Sequence, residues 1–139
     1  MGPTRLAILA IGSVAGALTP GVAQHPIALG QAQPGLWEIS GAPDARAPVR
    51  QCLADLVALA EFEHRGRNCA PKVISSSASS MVIGYSCGSG DFGRSQVDVI
   101  TPRSLRIATQ GISHQLPFSY VLQARRIGDC PAHAPAPRH

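Results

Sequence analysis

Four cysteines, Cys52, Cys69, Cys87 and Cys130, constrain what this 139-residue chain can fold into more than any other feature. They are even in number, widely spaced, and follow a leader that addresses the chain out of the cytoplasm, so they read as two disulfides. Zinc modules bring their ligands in pairs about two to four residues apart, and no such pair occurs, so no structural metal is expected. Of the three connectivities, Cys52–Cys69 with Cys87–Cys130 is favoured. The first would close the loop around a helix proposed below, and the second would tie the end of a strand to the end of the chain. Cys69–Cys87 is the serious rival, because a hairpin about Ser76–Ser79 would bring those two cysteines nearly face to face.

The leader carries the compartment argument. Met1 to Arg5 holds one positive charge, Leu6 to Leu18 holds none, Thr19-Pro20 breaks the run, and Gly21-Val22-Ala23 places small residues before Gln24. This predicts a signal peptide over residues 1–23, cleaved near Ala23, and a periplasmic or secreted product. The apolar run is shorter than the roughly 20 residues that span a bilayer, so no transmembrane segment is expected after cleavage. What remains suits one domain with a modest core. Trp37, Phe62, Tyr85, Phe92, Phe118 and Tyr120 are all its aromatics, so that core rests on Val, Ile and Leu and needs covalent staples.

Residues 24–34, rich in Pro, Gln and Ala, predict a flexible lead-in, and residues 35–130 a single β-rich domain. Leu36-Trp37-Glu38-Ile39 alternates after a Pro34-Gly35 turn and predicts a strand; Gly41 to Pro48 predicts a loop. Leu53, Leu56, Val57 and Ala60 fall on one face of a helix over about 53–64, with Asp55 near its positive end. Beyond Cys69 the pattern is β: 72–75 and 81–85 about a serine-rich turn, 96–100 and 105–108 about Pro102, and a last run from Phe118 toward Cys130. The expected fold is mainly β: a disulfide-stabilised antiparallel meander of about six strands, or a partly open barrel, with one short helix. Residues 131–139 predict a disordered tail.

Motifs that resemble chemistry do not hold. Gly88-Ser89-Gly90-Asp91-Phe92-Gly93 fits a phosphate-loop pattern, and Asp91-Phe92-Gly93 a kinase magnesium motif. No lysine follows residue 72, however, and the glycines precede a strand rather than a helix, so the segment predicts a turn. His114 with Asp98, or His64 with Glu61 and Glu63, makes an acid–base pair only on paper, and no Gly-x-Ser-x-Gly elbow or zincin histidine pair accompanies them. His25, His133 and His139 lie in the termini and predict solvated side chains. No catalytic residue and no cofactor are assigned. The net charge of +4, carried almost wholly by arginine, predicts a solvated basic face that favours an anionic envelope surface and not nucleic acid. A lone Trp37 on a first strand reads first as a core anchor and second as part of a ligand mouth, and with Arg125 and Arg126 it is a candidate for a ligand or partner surface.

Five segments recur together in one family: Pro34-Gly35-Leu36-Trp37-Glu38, Gln51-Cys52-Leu53, Cys69, Cys87, and Arg125-Arg126-Ile127-Gly128-Asp129-Cys130-Pro131. On these the chain resembles the exported bacterial domain of unknown function 3617 family over about residues 33–131. The resemblance implies a signal peptide or lipid anchor, a small β-rich domain in the envelope of Gram-negative bacteria, and no established activity or site residues. Three functions stay open: a non-enzymatic module that binds an envelope ligand or protein, a small hydrolase-like enzyme whose site forms only in three dimensions, and an accessory or stress-related subunit.

Overall fold

The computed structural model describes residues 27–132, together with the isolated Gly2 and Gly16. The expected signal peptide, the tail from residue 133, and His25, His133 and His139 lie outside the described residues. The described residues fold into one seven-stranded sheet: β1 (Gly35–Ser40), β2 (Val49–Leu53), β3 (Ala70–Ser76), β4 (Ser80–Gly88), β5 (Asp91–Thr101), β6 (Ser104–Ser113) and β7 (Leu116–Gly128). Their spatial order is β2-β1-β7-β6-β5-β4-β3, and every pairing is antiparallel. The sheet stays open, with β2 and β3 at opposite edges.

Turn chemistry builds the meander from β3 to β7. Ser89 and Gly90 both adopt positive φ between β4 and β5, the backbone of a two-residue hairpin turn that matches strand twist. Pro102-Arg103 joins Thr101 to Ser104, and the Thr101 hydroxyl accepts the Arg103 N–H at 3.2 Å. The Gly88–Gly93 segment is thus a hairpin. Alternation then sends Met81, Ile83, Val97, Leu105, Ile107, Leu122 and Ala124 to one face, where all are buried.

A strap over residues 54–69 covers that inner face. It must run from β2 at one edge to β3 at the other, about 29 Å for six strand spacings in a flat sheet. Two 3₁₀ turns, Leu56–Leu59 and Phe62–His64, shorten it to fit. The expected single helix over 53–64 is therefore corrected. Leu53 ends β2, and Leu56, Leu59 and Phe62 are buried at the three-residue spacing of a 3₁₀ helix. Asp55 caps the first turn by accepting the Val57 N–H at 2.9 Å. The lead-in also differs from expectation: α1 (Ile27–Gly30) is a single helical turn, and Ala28, Leu29 and Ala32 pack into the core. Strand β2 was not expected; its pairing with β1 is what places Cys52.

The disulfides are Cys52–Cys130 and Cys69–Cys87, which corrects the favoured pairing. The register supplies the reason. Ala70 pairs with Ser86, so Cys69 and Cys87 flank one rung of β3–β4. Leu36 pairs with Cys52 on one side and with Gly128 on the other, so the chain past β7 meets Cys52 over the start of β1. One bond staples an edge hairpin; the other locks the chain's end to its second strand.

Candidate functional site

The residues that opened and closed the sequence motif meet here. The Arg126 guanidinium lies against Gly35, where a Cβ would meet its Nε at 2.6 Å, so only glycine fits. Arg126 donates to the Pro34 carbonyl at 2.9 Å and pairs with Asp129. Trp37 is fully enclosed and its indole N–H donates to the Gln33 carbonyl at 3.1 Å. Trp37 is thus the core anchor that a lone tryptophan on a first strand predicts, and it leaves no surface for a ligand; Arg126 is a clamp with a nearly buried side chain. Arg125 does face solvent, with Glu38 between it and Arg50 at 3.1 and 3.4 Å.

The paper acid–base pairs also dissolve. Asp98 and His114 sit at opposite ends of β6, since Asp98 pairs with Arg106 while His114 follows Ser113. The Asp98 carboxylate accepts from Ser80, Gln96 and Arg106, and the Gln96 amide does most to hold it below the usual carboxylate range. His64 is buried, and neither ring nitrogen meets a carboxylate. Its Nε2 lies 3.1 Å from the Ile112 carbonyl, so Nε2 carries the proton and Nδ1 accepts from the Tyr85 hydroxyl at 3.2 Å.

His64 belongs instead to a polar network that finishes the inner face at one end. Tyr85 lies over Gly93, where a Cβ would collide with its ring. Burial pushes its phenol up to about 12, with the Thr109 hydroxyl pulling the other way. Ser95 bonds to the Ala60 carbonyl and to Thr109, at 2.5 and 2.8 Å, tying strap to sheet. Tyr120 donates to Glu63 at 2.8 Å; burial first, then that bond, raises its phenol strongly. Glu61 keeps one buried oxygen without a hydrogen-bond partner, and burial, with Asp55 second, raises its carboxyl. Arg67 pairs with Asp91 beside the turn and holds that carboxyl below its ordinary range. Apart from that Glu61 oxygen, these groups satisfy one another in the interior.

Space lies on the outer face. Two adjoining hollows of about 490 and 370 Å³ share Arg94, Gln110 and Ser119. The register sets these three side by side across β5, β6 and β7. On one side stand Phe92, half exposed, and Ile112; on the other, Val82 and Val121. Among the described residues, Arg94, Gln110 and Ser119 make no side-chain hydrogen bond or ion pair. A third, more apolar hollow lies between α1 and the start of the strap, lined by Leu29, Pro34 and Leu56. Sequence reasoning missed the outer-face set, although the signal was present: once Gly93, Ser95 and Val97 point inward, Phe92, Arg94 and Gln96 must point outward. Among the described residues no group of three His, Cys, Asp or Glu side chains converges as metal ligands, and no helix is long and apolar enough to cross a membrane.

The class this defines is a small, antiparallel, disulfide-bonded single-sheet domain whose inner face is packed beneath a strap. More particularly, the chain belongs to the family of proteins of unknown function called DUF3617, whose model matches residues 32–130. No curated protein and no solved structure matches it.

Proposed function

We propose that this protein is an exported envelope module that acts by binding a ligand or partner on its outer sheet face. Both disulfides suit an oxidising compartment, and the charged, apolar and small-residue order of residues 1–23 supports delivery to the periplasm by a cleaved signal peptide. The observation that carries the binding role is Arg94, a cation without an ion-pair partner among the described residues, set between two outward hollows while the inner face is filled. Hollows of this size take small molecules or short segments of larger ones. The hydrolase-like reading loses its best candidates, because His64 is committed to Tyr85 and Ile112 within the core.

The test has two arms. Intact mass of periplasmic material, with and without reductant, should show cleavage near Ala23 and a gain of four protons on reduction. Isotope-labelled protein titrated with envelope extract should show amide shifts concentrated on β4 to β7. Shifts confined to the strap or to the β2 edge, or a leader retained in vivo, would overturn the proposal.

A further inference from the structure

The ligand's chemistry can be read from the same face, and this inference rests on that reading. We infer that the outer face binds a single-chain anionic amphiphile, its carboxylate or phosphate head on Arg94 and its chain over Phe92 and Ile112. Lys72, Gly84, Arg94, Gln110 and Ser119 form one cross-strand row from β3 to β7. That row carries two cations and no acid. Neither neighbouring row, which holds Phe92 and Ile112 on one side and Val82 and Val121 on the other, carries an acid either. The two carboxylates of β5 are already engaged: Asp91, buried, by Arg67, and Asp98 by Ser80, Gln96 and Arg106. A guanidinium flanked by an amide and a hydroxyl, all free to donate, suits a head group with two or three oxygens.

The apolar part of the ligand follows from the row spacing. Alternate residues on a strand lie about 7 Å apart, so Phe92 and Ile112 begin one short step from the head position. Phe92 is 50% exposed, a large apolar surface left beside a cation. Free phosphate would use Arg94 and leave Phe92 wet; an uncharged lipid would cover Phe92 and leave Arg94 desolvated without a partner. An amphiphile satisfies both together.

The experiment titrates oxidised, isotope-labelled protein with lauroyl lysophosphatidylglycerol below its micelle concentration. Lauroyl lysophosphatidylcholine, inorganic phosphate and phosphatidylglycerol vesicles serve as comparison probes. Lysophosphatidylglycerol should shift amides of β4 to β7, and R94Q should bind it about 10- to 100-fold more weakly, as expected for loss of a charge-assisted hydrogen-bonded pair. F92S should also weaken it while leaving phosphate unaffected. Both side chains are exposed, and an unchanged melting temperature would show that each variant folds. Equal affinity for lysophosphatidylcholine, or an unaffected R94Q, overturns the anionic head while leaving the face as a binding surface. Phosphate binding as tightly as the lipid overturns the chain contact. Vesicle binding without monomer binding replaces the inference with membrane docking. Lipid-induced shifts away from β4 to β7 remove the underlying reading itself.

Discussion

The two faces of the sheet come from the same strands and have opposite fates. On β5, Gly93, Ser95 and Val97 are buried under the strap, while Arg94 and Gln96 between them stand in solvent. The inner face uses volume and hydrogen-bond geometry to their limit: Tyr85 fits because residue 93 has no side chain, and Gly111 has the Phe92 carbonyl where a Cβ would be. The outer face leaves polar groups unpaired and aromatic surface exposed. The difference teaches where selection for folding stops. Groups that satisfy one another explain stability, and groups left unsatisfied beside empty space support the proposed recognition.

The largest test of this contrast is covalent. Replacing both Cys52 and Cys130 with Ala should cost about 4–5 kcal/mol, because that bond closes the longer loop, and replacing Cys69 and Cys87 about 3 kcal/mol, each read by urea denaturation. A reversed order would break the account of what holds the sheet. Next, Trp37→Ala should cost about 3–5 kcal/mol and Val121→Ala under about 1 kcal/mol, the one an enclosed anchor and the other a residue of the open face. Smaller still are the pH limits, read as melting temperature against pH. Asp91 and Asp98 are held below the ordinary carboxylate range, so their contribution is present above about pH 4 and is lost as pH falls through their native values. Tyr85 is raised to about 12, so its contribution is intact below the unfolded phenol's value near 10 and is lost as pH climbs from there to about 12. Tyr85→Phe should therefore soften the alkaline limit and leave the acid limit alone. His114 and Gln115 make the β6–β7 turn in left-handed backbone without a glycine, so H114N combined with Q115G should add about 1 kcal/mol. Least of all, R94Q should change stability by no more than about 0.5 kcal/mol, which separates the proposed binding role of Arg94 from any role in folding.

The meander was legible because alternation and turn residues agree there: Met81, Ile83 and Tyr85 face in together, and Pro102 and Gly90 stand where the chain reverses. The strap was not, because Leu53, Leu56 and Ala60 are buried and satisfy an α-helical spacing, while Leu56, Leu59 and Phe62, buried as well, follow the three-residue spacing of the 3₁₀ turns. Separating periods of 3.6 and 3.0 needs more residues than this segment has. The disulfides depended on β2, whose short Val49-Arg50-Gln51-Cys52-Leu53 alternation was hidden behind a proline-rich loop. Trp37 reads as a core anchor from its place on a first strand, and its enclosure decides between that and a ligand mouth. The β5 alternation shows that Arg94 faces outward, but not that it lacks a partner there, because an unpaired charge is recognised only by the partners it lacks in space.

Hydroxyl-radical footprinting of the native, oxidised protein, read by peptide mass, tests the division of the two faces most directly. Phe92, Leu116 and Val121 should be modified while Trp37, Phe62 and Met81 stay protected, and Phe92 should become protected when envelope extract is added. Comparable modification of Trp37 and Phe92, or a Phe92 that no extract shields while residues of the strap become covered, would contradict the account.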